Sequence, residues 1–344
     1  MKVGGVACRT IRPLPDGTVE IVDQTLLPAR FELVRLVTLD DVVLAIRDMR
    51  VRGAPLIGVA AAFGVALALR QDPSDAALRR AVAALQATRP TAVNLAWALD
   101  AVAREVGPLD PFFRADAALE AAQRLAEQDV ATCRAIGERG AALLASLAQG
   151  LGRPLRVMTH CNAGWLAAVD YGTALAPVYL LHDMGIPVEV WVSETRPRNQ
   201  GYLTSWELAQ HGVPHCVIVD SACGHLLQRG EVDVVLVGTD RTTRNGDVTN
   251  KIGTYLKALA ARESGVPFYV AAPSSSIDWT IDDAKAIPIE ERAADEVTDD
   301  RTVPVANPAF DVTPARLVTG LITERGLCAA SAAALAALFP ERAA

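Results

Sequence analysis

The stretch Leu155-Arg156-Val157-Met158-Thr159, followed by the polar loop His160-Cys161-Asn162-Ala163-Gly164, introduces the pattern that decides the fold. A short apolar run leads into a polar loop, and the pattern recurs through the second half of the chain. Helix-patterned segments separate the runs, whose apolar character is typical of parallel strands covered on both faces. The predicted strands are Leu155–Thr159, Val188–Val192, Cys216–Val219, Val234–Val237 and Phe268–Ala271.

The first 150 residues have a different pattern. Thr18–Val22 and Phe31–Val37 are short alternating runs, which predict a small antiparallel sheet. Helical spacing follows in Asp40–Asp48, Pro55–Leu69, Ser74–Gln86 and Ala115–Ser146. The sequence therefore predicts an α/β protein in two domains. Residues 1–150 form a mainly helical N-terminal domain with a small antiparallel sheet, and residues 151–344 form a Rossmann-like catalytic domain with a doubly wound parallel sheet.

Composition excludes several classes of function. The 344 residues carry 33 Lys and Arg against 40 Asp and Glu, a net charge of −7, so we expect no nucleic-acid partner. The longest uncharged apolar stretch, Gly53–Leu69, is shorter than the roughly 20 residues of a membrane span, so we expect no membrane association. Met1–Arg12 has no signal-like apolar run, and the six cysteines form no C-x-x-C pair. We therefore expect a cytoplasmic protein with reduced cysteines and no bound metal.

Two side chains follow strands of the predicted sheet, where ligands bind in such folds. Cys161 follows the first strand and leads into a predicted helix, whose N-terminus would lower the pKa of a thiol; a small buried core residue is the alternative. Asp240 follows the apolar run Val234–Val237, which would raise the pKa of a carboxyl enough for it to act as an acid. Its alternative role is to cap the following turn.

Lys251 is one of only four lysines in the chain. Asn250 is predicted to begin a helix, which would place Lys251 in the first turn, where a cation is unfavourable unless it faces an anion. We therefore expect Lys251 to bind a ligand. His160, beside Cys161, is predicted to be a satisfied hydrogen-bonding residue.

Two arginines lie at predicted helix starts in the first half. Arg52-Gly53-Ala54-Pro55 opens the apolar helix with Pro at a favoured position, and its free N–H groups would suit a phosphate. Arg89 precedes a second helix start. A surface ion pair is the alternative for either arginine. No G-x-x-x-x-G-K-[ST] motif occurs, and no G-x-G-x-x-G motif follows the first strand of the sheet, so the standard modes of nucleotide binding lack support.

Taken in order, these motifs resemble the methylthioribose-1-phosphate isomerase family, the aldose–ketose isomerases of methionine salvage. The resemblance extends over nearly the whole chain. The matching motifs are Arg52-Gly53-Ala54-Pro55, Arg89-Pro90-Thr91, Thr159-His160-Cys161-Asn162, Glu194-Thr195-Arg196-Pro197, Gln200-Gly201, Gly238-Thr239-Asp240-Arg241, Asn245-Gly246-Asp247, Asn250-Lys251-Ile252-Gly253-Thr254 and Ile287-Pro288-Ile289-Glu290-Glu291-Arg292.

The resemblance implies roles for the residues already selected. It makes Asp240 the proton donor and places Cys161 against the developing transition state. It implies that the sugar phosphate substrate is bound by Arg52, Gly53, Ala54, Arg89, Gln200, Asn250 and Lys251. It also implies a homodimer and a reaction without cofactor.

Three alternatives stay open at this point. The family includes non-enzymatic regulatory subunits of the exchange factor for translation initiation factor 2, which would make the chain a non-catalytic protein that binds a sugar phosphate or nucleotide. Another branch acts on ribose 1,5-bisphosphate. A 5-deoxyribose 1-phosphate isomerase is the third, because the chain departs from the family pattern at Tyr202, Thr239 and Thr249, which leaves the pocket for the 5-substituent open.

Overall fold

A computed structural model describes residues 1–342, which form two compact units. Unit 1 comprises Met1–Thr132 and Trp165–Gly172. Unit 2 comprises Cys133–Gly164 and the described chain from Thr173 onward. The domain boundary at residues 150 and 151 stays a prediction.

Unit 1 is built around one helix that is apolar on every side. Its helices are α1 Leu39–Arg47, α2 Ala54–Gln71, α3 Asp75–Gln86, α4 Val93–Val106 and α5 Pro111–Ala148, the last of which continues into unit 2. Residues 56–69 of α2 are all buried, and α1, α3 and α4 pack against α2. Among the described residues, α2 alone is long and apolar enough to cross a membrane, but 83% of it is buried, as expected of a core helix.

The predicted small antiparallel sheet is present in unit 1. The strands of unit 1 are β1 Lys2–Val3, β2 Val6–Ala7, β3 Ile11–Pro13, β4 Val19–Val22 and β5 Leu33–Leu36. Strands β3, β4 and β5 form a three-stranded meander, and β1 pairs with β2 as a separate hairpin.

The described part of unit 2 contains two sheets, the larger of which has seven strands. The strands of the unit are β6 Leu155–Thr159, β7 Val188–Ser193, β8 His215–Ile218, β9 Val234–Val237, β10 Arg241–Thr243, β11 Val248–Lys251, β12 Phe268–Ala271, β13 Ile277–Asp278, β14 Phe310–Thr313, β15 Gly320–Ile322 and β16 Leu327–Cys328. Its other helices are α6 Ala176–Asp183, α7 Gly201–His211, α8 Ala222–Gln228, α9 Thr254–Glu263 and α10 Ala332–Leu338.

Seven of these strands form one sheet in the order β16-β15-β12-β9-β6-β7-β8. All neighbours are parallel except the β15–β16 pair at one edge. The chain winds from β6 toward β8 on one side, and from β9 toward β15 on the other. The order therefore reverses between β6 and β9, as in Rossmann folds, and the predicted doubly wound sheet is confirmed.

A second, four-stranded sheet in the order β13-β10-β11-β14 corrects one prediction. Asn250 and Lys251 do not begin a helix, because they lie in β11 and pair with Asp311 and Phe310 of β14. The chain turns at Gly253, whose φ of +98° is unfavourable for residues with a Cβ atom, and α9 begins at the next residue.

Candidate active site

The reversal of strand order brings the loops of Cys161 and Asp240 to one edge of the sheet. Strands β6 and β9 are hydrogen-bonded neighbours, and both loops follow their carboxyl ends. The loops approach closely, since a Cβ atom on Gly238 would lie 3.0 Å from the Cβ atom of Ala163. Cys161 and Asp240 are both partly exposed. They therefore lie at the switch point, where such sheets bind ligands.

The loop that carries Cys161 differs from the prediction. No described helix begins at Cys161, and the next helix of unit 2 is α6, which begins at Ala176. Cys161 itself has a left-handed backbone with φ +65°, which interrupts any helical continuation. The predicted effect of a helix N-terminus on this thiol is therefore wrong. A strained non-glycine backbone is instead typical of functional sites.

Asp240 follows a strand whose four residues are all buried. Its backbone N–H donates to the carbonyl oxygen of Thr249 over 3.0 Å, which joins the end of β9 to β11. The strand that follows at once, β10, belongs to the second sheet. Asp240 thus lies where the two sheets of unit 2 meet, and the raised pKa expected for its carboxyl stays a prediction.

His160 is fully buried behind Cys161. Its Nε2 lies 2.8 Å from the carbonyl oxygen of Ile252, which can only accept, so Nε2 carries the proton. Its Nδ1 lies 3.4 Å from the hydroxyl of Thr195. Burial, with the positive charge of Lys257, lowers the pKa of His160 to about 3. His160 is thus a neutral hydrogen-bonding residue, as predicted.

This histidine makes stability depend on pH. In the unfolded chain His160 takes up a proton near its ordinary pKa of 6.5, whereas the folded protein resists protonation down to about pH 3. The free energy of unfolding should therefore fall as pH drops from 6.5 toward 3, by up to about 1.4 kcal/mol per pH unit. Asp311 changes the free energy of unfolding in the opposite direction between pH 3.8 and 6, because burial raises the pKa of its carboxyl to about 6 and the folded protein then binds a proton more readily than the unfolded chain.

The His160→Gln variant isolates this contribution, because glutamine keeps an N–H donor for Ile252 but does not titrate. Urea unfolding at pH 7, 5.5 and 4.5 should show a shallower loss of stability in the variant than in the wild type, with Asp311 common to both. If the free energy of unfolding changed with pH by the same amount in both proteins, the lowered pKa of His160 would be contradicted.

Two charged residues near this loop are not among the predicted site residues. Lys257 on α9 is 1% exposed, and its Nζ lies 3.9 Å from the Oδ1 of Asp220, which follows β8. Burial lowers the pKa of Lys257. Burial alone would raise the pKa of Asp220, but hydrogen bonds from Ser193 and the Arg196 N–H, together with the charge of Lys257, bring it below its ordinary value. Lys257, like Lys251, is one of only four lysines in the chain, so the same argument from the sequence could have selected it.

The predicted ligand-binding residues of unit 2 are buried. Gln200, which immediately precedes α7, is 6% exposed, and its Oε1 has no hydrogen-bond partner within the described part of the chain. A buried acceptor without a partner is costly, which favours a ligand there. Asn250 donates from Nδ2 to the Thr254 hydroxyl over 3.1 Å. The Nζ of Lys251 lies 4.8 Å from the ring centre of Phe310, a cation–π contact.

In unit 1 the predicted helix starts are present. Gly53 is the N-cap of α2 with φ +95°, Ala54 is the first helical residue, and Pro55 follows in the first turn. A Cβ atom on Gly53 would lie 2.5 Å from the Cα of Ala167, so glycine is required here by packing as well as by backbone conformation. Arg52 immediately precedes this cap, and Arg89 lies one turn before α4. Their binding roles stay predictions.

Comparison with known proteins decides the family. The model of the "Initiation factor 2 subunit family" matches residues 50–330. The chain belongs to this family. Within it, the chain is 60% identical to a methylthioribose-1-phosphate isomerase of Methylorubrum populi, and 58% identical to one of Rhizobium meliloti. These matches cover 99% of the chain and 99% and 100% of the relatives, which confirms the resemblance noted in the sequence.

Two solved structures of the family share the fold. The 5-methylthioribose 1-phosphate isomerase of Pyrococcus horikoshii superposes with a TM-score of 0.86 at 38% identity, over 97% of this chain and 96% of its own. The delta subunit of translation initiation factor eIF-2B from A. fulgidus gives a TM-score of 0.82, also at 38% identity, over 97% and 100%. The architecture is therefore common to proteins named as isomerases and as initiation factor subunits.

Proposed function

We propose that the chain is an isomerase that converts 5-methylthioribose 1-phosphate to 5-methylthioribulose 1-phosphate in methionine salvage. The observation that carries the proposal is the meeting of the Cys161 and Asp240 loops at the switch point. The relatives that bear this activity in their names are about 60% identical over 99% of the chain.

The substrate explains why a proton donor is needed. A phosphate occupies the anomeric oxygen, so the ring cannot open by loss of an anomeric hydroxyl proton. Asp240 donates its proton to the ring oxygen, and the bond between that oxygen and C1 breaks. The hydrogen on C2 then moves to C1, and the C2 hydroxyl returns a proton to Asp240 as the ketone forms. The redox change is internal to the sugar, so the reaction needs no external oxidant or reductant.

The hydrogen has two routes from C2 to C1. It moves as a proton through an enediol, with a Cys161 thiolate as base, or as a hydride to a cationic C1 beside the thiol. Turnover in deuterated water decides between the routes, because an unlabelled C1 in the ketose supports hydride transfer, whereas deuterium at C1 excludes pure hydride migration.

Substrate binding is proposed for each unit separately. In unit 2, Gln200, Asn250 and Lys251 bind the sugar phosphate, and the buried acceptor of Gln200 supports this assignment. In unit 1, Arg52, Gly53, Ala54 and Arg89 bind phosphate, as the family resemblance implies. An arginine fork and the N–H groups of a helix start both suit a dianion.

The test is turnover of three substrates by the purified protein. We expect kcat/KM for 5-methylthioribose 1-phosphate to exceed that for 5-deoxyribose 1-phosphate by roughly tenfold or more, the range that one apolar group supplies. We expect it also to exceed that for ribose 1,5-bisphosphate, which carries a charged phosphate in place of the apolar group. A higher value for either competitor would assign the chain to that sister activity. Binding without turnover of any substrate would instead favour a regulatory protein, the alternative that the A. fulgidus neighbour represents.

A cytoplasmic homodimer is part of the same proposal, and the dimer is checked by sedimentation.

A further inference from the structure

Both backbone polar groups of Cys161 are held by threonine side chains. The Cys161 N–H donates to the hydroxyl of Thr195 over 2.8 Å. The hydroxyl of Thr204 donates to the Cys161 carbonyl oxygen, also over 2.8 Å. Thr195 and Thr204 are 0% and 1% exposed, so water does not compete for these bonds. The two threonines come from separate places in the fold, the loop after β7 and helix α7.

Each threonine is itself fixed. The Thr195 hydroxyl donates to the carbonyl oxygen of Ser193 over 2.9 Å, so its lone pairs face the Cys161 N–H. The Thr204 hydroxyl accepts from Nδ2 of Asn162 over 3.1 Å while it donates to Cys161. Neither hydroxyl can turn away without losing a second bond.

Asp220 anchors the loop that carries Thr195. Its carboxylate accepts from the N–H groups of Thr195 and Arg196 over 2.9 and 2.7 Å, and from the hydroxyl of Ser193. Thr195 has a left-handed backbone with φ +64°, and Cys161 has one with φ +65°. This conformation is unfavourable for residues with a Cβ atom, so it persists only where surrounding bonds enforce it.

We propose that Thr195 and Thr204 are positioning residues, which hold Cys161 in its left-handed conformation and thereby aim its thiol at the switch point, with Asp220 as the anchor of Thr195. A misplacement of a reacting group by about 1 Å costs on the order of 10²-fold in rate. The role in turnover rests on the proposed function, whereas the effect on the Cys161 loop does not.

Matched variants test the threonines. Thr195→Val and Thr204→Val keep the side-chain shape but remove the hydroxyl, and Thr195→Ser and Thr204→Ser keep the hydroxyl. We expect the valine variants to lower kcat by roughly 10- to 100-fold with KM changed less than about twofold. The serine variants should remain within about threefold of the wild type. The division between kcat and KM, and the rescue by serine, distinguish positioning from general loss of structure.

Alkylation of Cys161 by iodoacetamide, followed by peptide mass spectrometry, reports on the loop independently of turnover. Release of one buried hydrogen bond should raise its rate about three- to tenfold in each valine variant. Asp220→Asn should act in the same direction, and its side chain is 28% exposed, so it provides a test if a buried valine prevents folding.

The proposal would be overturned if the folded valine variants, or Asp220→Asn, kept both the alkylation rate and kcat within about twofold of the wild type. Serine variants as impaired as the valine ones would also overturn it. A wild-type protein without isomerase turnover would contradict the proposed function, while changed alkylation in the same variants would still support the positioning of Cys161.

Discussion

The Asp240→Asn variant is expected to lose about 10³-fold in kcat while its affinity for 5-methylthioribose 1-phosphate stays within about threefold of the wild type. Asparagine has nearly the same shape as aspartic acid but no transferable proton, and general acid catalysis contributes roughly 10²- to 10⁴-fold. The backbone bond from Asp240 to Thr249 does not involve the side chain and should persist. Affinity is measured by calorimetry with the substrate itself, because the variant turns it over slowly.

Asp299→Asn is the matched control, because Asp299 is exposed in unit 2 and the substitution is the same. It should leave kcat unchanged. An Asp240→Asn protein that keeps more than about a tenth of the wild-type kcat would show that Asp240 is not the acid and would favour its alternative role at the turn.

The Cys161→Ala variant is the second substitution with a large expected effect, a loss of roughly 10²- to 10³-fold in kcat. This is the cost of removing one group that faces the charge developing in a transition state. Alanine keeps the Cβ atom and both backbone bonds to Thr195 and Thr204, so the loop should stay in place. The measurement is kcat under saturating substrate, with circular dichroism to confirm that the variant is folded.

Cys216 provides the control for this substitution, because it is an exposed free cysteine on β8. Cys216→Ala should retain the wild-type kcat. Full activity in Cys161→Ala would remove the thiol from the mechanism and leave Cys161 with the role of a small packed residue.

Sequence patterns predicted the parts of the fold that rest on local signals. The five short runs rich in apolar and β-branched residues are strands of one sheet, because helix-patterned segments separate them as in a chain of parallel strands. The second sheet was missed because its strands are short and polar, as Arg241–Thr243 and Val248–Lys251 show. Their pairing depends on partners such as Phe310–Thr313, about 60 residues away, which no local period reveals.

In the candidate site, too, local patterns could be predicted from the sequence, whereas contacts between residues far apart in the chain could not. Cys161 and Asp240 could be selected because residues that follow strands meet at one edge of a parallel sheet, whereas Gln200 was identified through the family resemblance. The contact between Asp220 and Lys257 could not be found in this way, since the two residues lie 37 positions apart and meet only after folding. Each residue nevertheless carries a signal of its own, because Asp220 follows β8 and Lys257 is one of four lysines. The helix predicted at Lys251 was wrong because pairing with β14 outweighed a helical pattern.

The most direct test of the central claim is to follow 5-methylthioribose 1-phosphate by ¹³C NMR in the presence of the purified protein. We expect the anomeric carbon signal to decay as a ketone carbon appears at C2, and the Asp240→Asn protein to leave the sugar unchanged. A wild-type protein that binds the sugar phosphate but produces no ketone signal would contradict the isomerase function. An Asp240→Asn protein that produces this signal at the wild-type rate would contradict the role of Asp240 as the acid.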